Sequence, residues 1–398
     1  MSPARGSIDR PDRTFGVEEE LLLVDAKSLR PVPHGENVVA LTNQEHRAHR
    51  LATEFKNEQI EVISPPQTTL EGQLEAIRTG RAAADAAAAA YGARAVAMST
   101  CPAPVTSSVA RGARYQRMTR AYGITAVEQL TCGFHVHVGI RSPAEGVAAL
   151  DRLRVWLPVL LALSSNSPFW MGLDTGFASY RYQVWGRWPT SGPTEVFGSQ
   201  QSYERHAAAL LGSGVPLDDG MLYFDARLSG RFPTVEIRIL DVCLLPAHAA
   251  ALAALVRALV ETSVRQWRAG HDAPRVPATV LRAWSWQASR FGMEADLMSP
   301  LTRKPTASAE VAAQLIDTVA PVLSELSELE AVAEAISDIT ASGTGAQRQR
   351  EFRQSSPETH RHGDLKAIVG QALLATYQAG SSPKPTSPRH VPDEDGIA

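Results

Sequence analysis

Three short apolar runs of this chain each carry two polar side chains that are two residues apart. In a β-strand, residues i and i+2 point to the same face of the sheet, and a buried charge is costly unless it is paired or metal-bound. The runs therefore predict one polar sheet face that holds cations and an anionic substrate. The runs are Gly16–Val24, Gly133–Gly139 and Thr234–Leu240, and the pairs are Glu18 with Glu20, His135 with His137, and Glu236 with Arg238.

The composition is that of an ordinary globular protein. The 398 residues are 44% hydrophobic and 20% charged with a net charge of −3, so nothing marks a nucleic-acid-binding protein. The most apolar helical segment, 155–163, is too short to span a membrane, and the polar N-terminus differs from a secretory signal. Three cysteines favour buried thiols over a disulfide framework. We therefore expect a cytoplasmic enzyme with neither a nucleic-acid nor a membrane partner.

The pattern predicts an α+β fold in one catalytic domain, 14–379, between disordered segments at 1–13 and 380–398. Polar i, i+2 pairs do not fit a parallel sheet buried on both faces, so we predict an exposed, curved antiparallel sheet. Residues 165–200 are rich in Gly, Pro, Ser and aromatic residues and predict an ordered functional loop. Strands are predicted at 14–24, 59–63, 95–99, 132–140, 221–228 and 233–242, and helices at 69–91, 114–122, 142–164, 246–269, 277–290, 308–340 and 364–378.

Carboxylates from two segments are the first candidate metal ligands. Hard divalent cations such as Mg²⁺ or Mn²⁺ prefer carboxylate oxygens. Both groups can also be solvated, because glutamate is usually exposed. Glu19 points to the opposite face and is expected at the solvent or in a second layer. The candidates are Glu18 and Glu20 on the first strand, and Glu54, Glu58 and Glu61 before and within the second.

Two histidines and one arginine are the remaining candidates. His135 and His137 lie between apolar neighbours, and imidazole binds transition metals or, when protonated, phosphate. No HExxH motif or cysteine pair supports a zinc site. Glu236 and Arg238 are either a structural salt bridge or a metal carboxylate beside a guanidinium that holds a transferring phosphoryl group. The chain has no Walker A sequence and no GxGxxG motif, so phosphate binding would depend on metals and arginines.

Seven motifs in order resemble those of the glutamine synthetase superfamily, and most closely the bacterial carboxylate–amine ligase group of the glutamate–cysteine ligase type 2 family. The resemblance covers about residues 13–378. It implies a curved antiparallel sheet with helices on its outer face, a funnel-shaped site, ATP, and two or three Mg²⁺ or Mn²⁺ ions. The motifs are Phe15–Leu21, Glu58–Glu61, Gly133–His137, Asp174–Arg181, Trp188–Pro193, Val235–Arg238 and Gly345–Arg350.

The resemblance also implies roles for individual residues. Two sets of ligands would hold cations, while arginine and histidine side chains would contact phosphate and substrate. The catalytic candidates are Arg238, His137 and, from the acidic segment that could deprotonate the amine, Glu61. The first cation set is Glu20, Glu54 and Glu61, the second is Glu18, His135 and Glu236, the phosphate or nucleotide contacts are His137, Arg238, Arg348 and Arg350, and the substrate contacts are Arg181 and Trp188.

The resemblance implies a ligase that uses ATP to join the γ-carboxylate of glutamate to an amine, either cysteine or another amino acid. A free carboxylate is a poor electrophile, so ATP would first convert it to an acyl phosphate. Two alternatives stay open: a ligase for a different carboxylate in specialised metabolism, and a metal-dependent amidohydrolase, which needs no nucleotide site. A homo-oligomer is a further alternative, because the apolar helix 246–260 can be core or interface.

Overall fold

The computed structural model describes residues 13–43, 49–355 and 361–378. The predicted disordered tail 380–398 and the N-terminal segment up to residue 12 lie outside the described residues. Arg13, which the prediction included in the disordered segment, is buried and donates hydrogen bonds to Glu145 and Glu261. The folded domain therefore includes Arg13.

Seven of the described strands form one central sheet in which every pairing is antiparallel. The strands of the described chain are β1 (Phe15–Asp25), β2 (Arg50–Thr53), β3 (Gln59–Ile63), β4 (Ala93–Val96), β5 (Gly133–Gly139), β6 (Phe169–Trp170), β7 (Leu173–Asp174), β8 (Ala226–Leu228), β9 (Thr234–Asp241), β10 (Leu297–Met298) and β11 (Pro305–Thr306). The order across the sheet is β2-β3-β1-β5-β9-β8, with β4 paired to the second half of β1. The predicted antiparallel α+β sheet is confirmed.

Alternation along β1, β5 and β9 separates an apolar face from a polar one. Apolar side chains on one face are buried against helices in the main hydrophobic core, and this burial stabilises the sheet by roughly 25 cal/mol per Å² of apolar surface. The polar pairs found in the sequence lie on the other face. The buried apolar residues are Phe15, Val17, Phe134, Val136, Val138, Val235 and Ile237.

Helices cover the apolar face, and two of the predicted helices are each divided into two in the structure. The predicted helix 142–164 is divided by a 3₁₀ turn at Arg154–Trp156, just before Pro158, which lacks a backbone N–H. The predicted helix 308–340 is divided at Ser327, where φ is 61°. The described helices are α1 (Gly35–Asn43), α2 (Leu70–Ala89), α3 (Ala113–Tyr122), α4 (Ile124–Val127), α5 (Pro143–Leu153), α6 (Leu157–Ser164), α7 (Tyr180–Trp185), α8 (Gln200–Gly212), α9 (Pro246–Arg268), α10 (Ala278–Phe291), α11 (Ser308–Glu325), α12 (Leu329–Ser342), α13 (Gly345–Gln354) and α14 (Arg361–Thr376).

Helix α9 is the centre of the core. Every residue from His248 to Glu261 is buried, and α2, α5, α11 and α12 all pack against this helix. Among the described helices, α9 is long and apolar enough to cross a membrane, but 89% of that span is buried inside the protein. Of the two roles left open for this segment, the structure shows the core role.

A buried ion pair connects β1 to the elements behind it. The guanidinium of Arg81 donates to both carboxylate oxygens of Glu19, at 2.7 and 3.1 Å. It also donates to the backbone oxygens of Cys243, Leu244 and Thr376. Glu19 therefore lies on the face opposite to its neighbours, as predicted, but it is buried in the core and does not reach the solvent.

We expect Arg81→Met to destabilise the protein by about 3–5 kcal/mol, because the Glu19 carboxylate would stay buried without a partner. Replacing both residues, as Arg81→Met with Glu19→Leu, should restore much of the loss. Denaturant-induced unfolding of the three proteins measures these differences. Arg94→Met is the matched control, because its pair with Asp85 is partly exposed and should contribute less than about 1 kcal/mol. Equal unfolding of Arg81→Met and the control would contradict the expectation.

Candidate active site

Cross-strand pairing brings the predicted carboxylates and histidines together on the polar face. Residues directly opposite each other in an antiparallel pair have Cβ atoms about 4.5–5.5 Å apart. Three neighbouring strand pairs each oppose two of the predicted side chains, so the register of the sheet alone assembles the cluster. The opposed residues are Glu20 with Glu61, Glu18 with His135, and His137 with Glu236.

Three overlapping sets of side chains in this cluster could each hold a metal ion. Within each set, the ligand atoms all lie within 4.8 Å of one another. Glu18 and Glu61 each belong to two sets, so the three sets share ligands and would not bind cations independently. The sets are Glu20, Glu54 and Glu61; Glu18, Glu61 and His135; and Glu18, His137 and Glu236.

The set of Glu20, Glu54 and Glu61 has the same members as the first predicted set. The second predicted set has different members in the structure. The prediction combined Glu18 and Glu236 with His135, whereas the structure places His137 beside those two carboxylates. The cause is the strand register. His137 faces Glu236 directly, while an irregularity between Phe134 and Val136 interrupts the pairing with β9 at His135. Metal binding by either set stays a prediction.

The histidines fit a divalent cation. His135 Nδ1 lies 3.2 Å from Glu18 Oε2, and His137 Nδ1 lies 2.9 Å from Thr234 Oγ1. His135 Nε2 is buried and has no hydrogen-bond partner, and His137 Nε2 lies 3.5 Å from Glu18 Oε1. A hydrogen bond at one ring nitrogen fixes the tautomer and leaves the other nitrogen for a metal.

The clustered carboxylates shift one another's pKa values. Burial and the charge of Glu20 raise the pKa of Glu54 to about 8. Burial and the charges of Glu18 and Glu54 raise the pKa of Glu61 well above its usual value. Burial also acts against ionisation of Glu18, but hydrogen bonds to His135 and His137 hold its pKa well below the usual range. The raised pKa values of Glu54 and Glu61 show that nearby cationic side chains do not fully balance these carboxylates, and a divalent cation would add the missing positive charge.

We expect the metal-free protein to lose stability as the pH rises to about 8, and Glu54→Gln to lose less. The folded pKa of Glu54 is raised, so its contribution is fully present below the unfolded pKa of about 4.3 and is lost as the pH rises through the folded value. The loss is about 1.4 kcal/mol per pH unit for one such group.

Melting temperatures in a chelator at pH 6 and pH 8 test this expectation. The advantage of Glu54→Gln over wild type should grow with pH, and Mg²⁺ should remove it by stabilising only the wild type. Glu128→Gln is the matched control, because Glu128 is exposed and pairs with Arg187 at the surface. An advantage that is the same at both pH values would refute the expected repulsion.

Glu236 joins the cluster to two arginines. It accepts hydrogen bonds from Arg227 at 2.9 and 3.1 Å and from Arg238. Burial opposes ionisation of Glu236, but the charges of Arg238 and Arg227 lower its pKa well below the usual range. The sequence analysis did not single out Arg227. Arg227 lies in β8, directly opposite Glu236. Alternation along the predicted strand 221–228 could have indicated this position.

Arg181 lies at the same face and is held by backbone. It donates to the carbonyl oxygens of Arg238 and Ile239, both at 3.2 Å, and lies 3.8 Å from the carboxylate of Asp241. Gly133 makes this approach sterically feasible, since a Cβ there would lie 2.3 Å from Arg181 Nη2. The contact with substrate that the sequence analysis expected for Arg181 stays a prediction.

The other predicted contacts lie in packing or surface positions. Trp188 is 2% exposed and donates its indole N–H to Gln129, so it supports the loop from within an aromatic cluster. Arg348 pairs with a carboxylate of α12, and Arg350 pairs with Asp174. Both arginines thus pair with carboxylates outside the three metal sets, and their roles in phosphate binding stay predictions.

Two cavities flank the acidic cluster. The larger has a volume of about 740 Å³ and lies where β1 and β9 begin, with Glu18 and His137 in its wall. Its size is typical of small-molecule sites. The smaller has a volume of about 40 Å³ and is lined by Arg181 and Arg238. Arg238 in the wall of the smaller cavity pairs with Glu236 of the acidic cluster, and Glu18 and His137 of the same cluster lie in the wall of the larger cavity. The acidic cluster therefore lies between the two cavities.

Solved structures define the class of this fold. The chain is similar to a glutamate–cysteine ligase from Francisella tularensis in complex with AMP, with a TM-score of 0.62, 14% identity, and coverage of 93% of this chain and 90% of that chain. It is also similar to a bifunctional glutathione synthetase from Pasteurella multocida, with a TM-score of 0.68, 16% identity, and coverage of 93% and 53%. The protein therefore has the fold of the glutamine synthetase-like ligases.

The chain belongs to glutamate–cysteine ligase family 2, whose family model matches residues 14–371. A relative from Paenarthrobacter aurescens (strain TC1), provisionally named glutamate–cysteine ligase 2-1, is 48% identical over 92% of this chain and 96% of its own. A relative from Streptomyces avermitilis with the same provisional name is 44% identical over 92% and 99%. The protein is thus an ATP-dependent carboxylate–amine ligase with small-molecule substrates and a divalent metal. This membership favours the ligase over the amidohydrolase.

Proposed function

We propose that this enzyme joins the γ-carboxylate of glutamate to an amine, either cysteine or another amino acid, through an acyl phosphate formed from ATP. The observation that carries the proposal is the arrangement of a nucleotide-sized cavity, an acidic cluster and Arg238 beside a second, smaller cavity. The provisional names of the relatives support glutamate and cysteine as the first substrates to test.

The acidic cluster fits Mg²⁺ or Mn²⁺, because most of its donors are carboxylate oxygens. When bound, the cations would neutralise the phosphate oxygens of ATP. The nucleotide would occupy the larger cavity, whose wall includes Glu18 and His137. The proposed ligands are Glu20, Glu54 and Glu61 for one cation, Glu18, His137 and Glu236 for a second, and Glu18, Glu61 and His135 for a third.

Arg238 is the proposed catalytic cation. In the first step an oxygen of the γ-carboxylate attacks the γ-phosphorus of ATP, the bond to ADP breaks, and the acyl phosphate forms. Arg238 would stabilise the charge of the moving phosphoryl group, and its ion pair with Glu236 fixes its position. In the second step the amine attacks the acyl carbon and phosphate leaves. The acidic segment 54–61 contains the candidate base for the amine.

The test is a screen of amines with ATP, Mg²⁺ and glutamate, read out by phosphate release and product mass. We expect a coupled product, with one ADP and one phosphate for each bond formed, only when both carboxylate and amine are present, and no reaction in a chelator. ADP release that does not need the carboxylate would contradict the proposal. A product that contains another carboxylate would establish the alternative ligase. Cytoplasmic location, the number of cations and the oligomeric state stay predictions.

A further inference from the structure

One hydroxyl group contacts a histidine of the candidate metal site. Thr234 Oγ1 lies 2.9 Å from His137 Nδ1, and on the other side of the same ring Nε2 lies 3.5 Å from Glu18 Oε1. His137, Glu18 and Glu236 form one of the three sets that could hold a cation. The ring therefore directs one nitrogen towards the carboxylates of the set and the other towards the hydroxyl of Thr234.

The strand register brings this hydroxyl to the ring. His137 in β5 lies opposite Glu236 in β9, and Gly139 lies opposite Thr234. Thr234 and Glu236 are two residues apart in one strand, so their side chains point to the same polar face. Thr234 is thus the diagonal neighbour of His137, which a ring of that length can reach. The branched side chain of threonine is restricted in χ1, so the hydroxyl keeps a defined direction.

The same contact selects one orientation of the imidazole ring. Turning the ring over would place the carbon atom Cδ2 opposite Thr234 Oγ1, and the hydrogen bond would be lost. Phe232 packs edge-on against the ring of His137, with centroids 5.9 Å apart and planes at 89°. Packing alone does not distinguish a nitrogen from a carbon of the ring, so the hydroxyl is the group that determines where Nε2 points.

A hydroxyl and a carboxylate differ in the tautomers that they permit. An ionised carboxylate only accepts hydrogen bonds, whereas a hydroxyl both donates and accepts. His135 Nδ1 faces the carboxylate of Glu18 at 3.2 Å, and this contact is a hydrogen bond only when Nδ1 carries the proton. His137 Nδ1 faces a hydroxyl, so it can donate to Thr234 or accept from it. In the first case Nε2 has a free lone pair for a cation, and in the second Nε2 carries the proton.

We propose that Thr234 is a positioning residue that orients the ring of His137 and supports both of its neutral tautomers, one that is closed to a cation and one that binds it. In the exchange one proton leaves Nε2 and one joins Nδ1, so the ring stays neutral, and the hydroxyl of Thr234 turns from donor to acceptor. The inference rests on the proposed function in one respect, because it takes the set of Glu18, His137 and Glu236 as a cation site.

Manganese binding tests the role of the hydroxyl, because the electron paramagnetic resonance signal of free Mn²⁺ measures how much is bound. Thr234→Val keeps the branched shape and removes the hydroxyl, and Thr234→Ser keeps the hydroxyl. We expect the affinity of one site to fall by about 10–100-fold in Thr234→Val and by less than about threefold in Thr234→Ser. Thr306→Val is the matched control, because the Thr306 hydroxyl donates to the backbone oxygen of Lys304. Equal Mn²⁺ affinities in wild type and Thr234→Val would overturn the inference.

A double-mutant cycle determines whether Thr234 acts through His137. In a His137→Ala background, Thr234→Val should change the Mn²⁺ affinity by less than about threefold, because effects of residues in contact do not add. The ring that the hydroxyl orients is then missing. An equal loss in both backgrounds would contradict the inference, since the hydroxyl would then act independently of the ring.

Nitrogen NMR of the metal-free protein at pH 8 tests the tautomers without any ligand. The ¹⁵N chemical shifts of an imidazole ring distinguish its protonated nitrogen from its unprotonated one. His135 should carry its proton on Nδ1 in wild type and in Thr234→Val. His137 should populate the form with Nδ1 protonated in wild type, and only the form with Nε2 protonated in Thr234→Val. Identical His137 signals in the two proteins would count against the inference.

Turnover separates this inference from the proposed function. Wild type that shows the expected tautomers and Mn²⁺ affinities but forms no product with any amine would refute the proposed function and leave the role of Thr234 standing. Wild type that forms product, with His137 tautomers and Mn²⁺ affinity unchanged in Thr234→Val, would refute the role of Thr234 alone. Melting temperatures within about 2 °C of wild type exclude misfolding as the cause of a loss.

Discussion

Arg238→Lys should lower the rate of ATP-dependent ligation by about 10³, which is the lower end for an arginine that stabilises phosphoryl transfer. Lysine keeps the positive charge beside Glu236 but cannot present two donors in a planar fork. The guanidinium is largely buried between Glu236 and the smaller cavity, so solvent cannot replace its contacts. Single-turnover phosphate release measures the rate of the chemical step.

Binding measurements distinguish a catalytic loss from a structural one. The affinity for ATP and Mg²⁺ should change by less than about threefold in Arg238→Lys, because the nucleotide cavity is lined by other residues. Arg187→Lys is the matched control, since Arg187 forms a partly exposed pair with Glu128. A full rate in Arg238→Lys would show that only the charge of this residue is needed, and the proposed fork would be wrong.

Glu236→Gln should affect stability and activity together. The change removes the one carboxylate between Arg227 and Arg238, and two buried guanidinium groups would lose their shared partner. Breaking a buried pair in this way costs about 3–5 kcal/mol. The same change removes a ligand from the set that contains Glu18 and His137. We expect a large loss in denaturant stability, weaker Mn²⁺ binding and no measurable ligation.

A double variant separates the two effects. Arg227→Met with Glu236→Gln removes one of the uncompensated charges, so the free energy of unfolding should recover in part. Ligation should not recover, because the metal ligand is still missing. If the double variant regained both stability and activity, Glu236 would serve only as a structural counter-ion, and the proposed metal set would need another member.

The sheet and the centre of the cluster could be predicted because both depend on short-range pattern. Alternation along Phe15–Leu21 determines which side chains share a face, and antiparallel pairing then places Glu20 opposite Glu61. The family resemblance grouped Glu18 with His135, and the structure places these two residues opposite each other. Predicting these contacts requires only the two-residue period of a strand and knowledge of which strands are neighbours in the sheet.

The remaining contacts depend on geometry that pattern does not contain. The irregularity in the pairing of β5 with β9 determines that His137, and not His135, lies with Glu236. Asp225 and Arg282 reach one cavity from distant parts of the chain. The aromatic content of residues 165–200 predicted an ordered loop but did not reveal that Trp188 is buried in it.

The hydrogen bonds of Arg81 couple the polar face of the sheet to the carboxyl-terminal part of the chain. Arg81 holds Glu19, the residue between two proposed metal ligands, and also the backbone oxygen of Thr376 in the last helix. Deleting α14 would remove the Thr376 oxygen that helps to position Arg81. Arg81 in turn holds Glu19, whose two chain neighbours are the proposed ligands Glu18 and Glu20. Shortening this enzyme at its carboxyl end should therefore weaken cation binding and also lower the free energy of unfolding, because α14 buries Leu365, Ile368 and Val369 in the core.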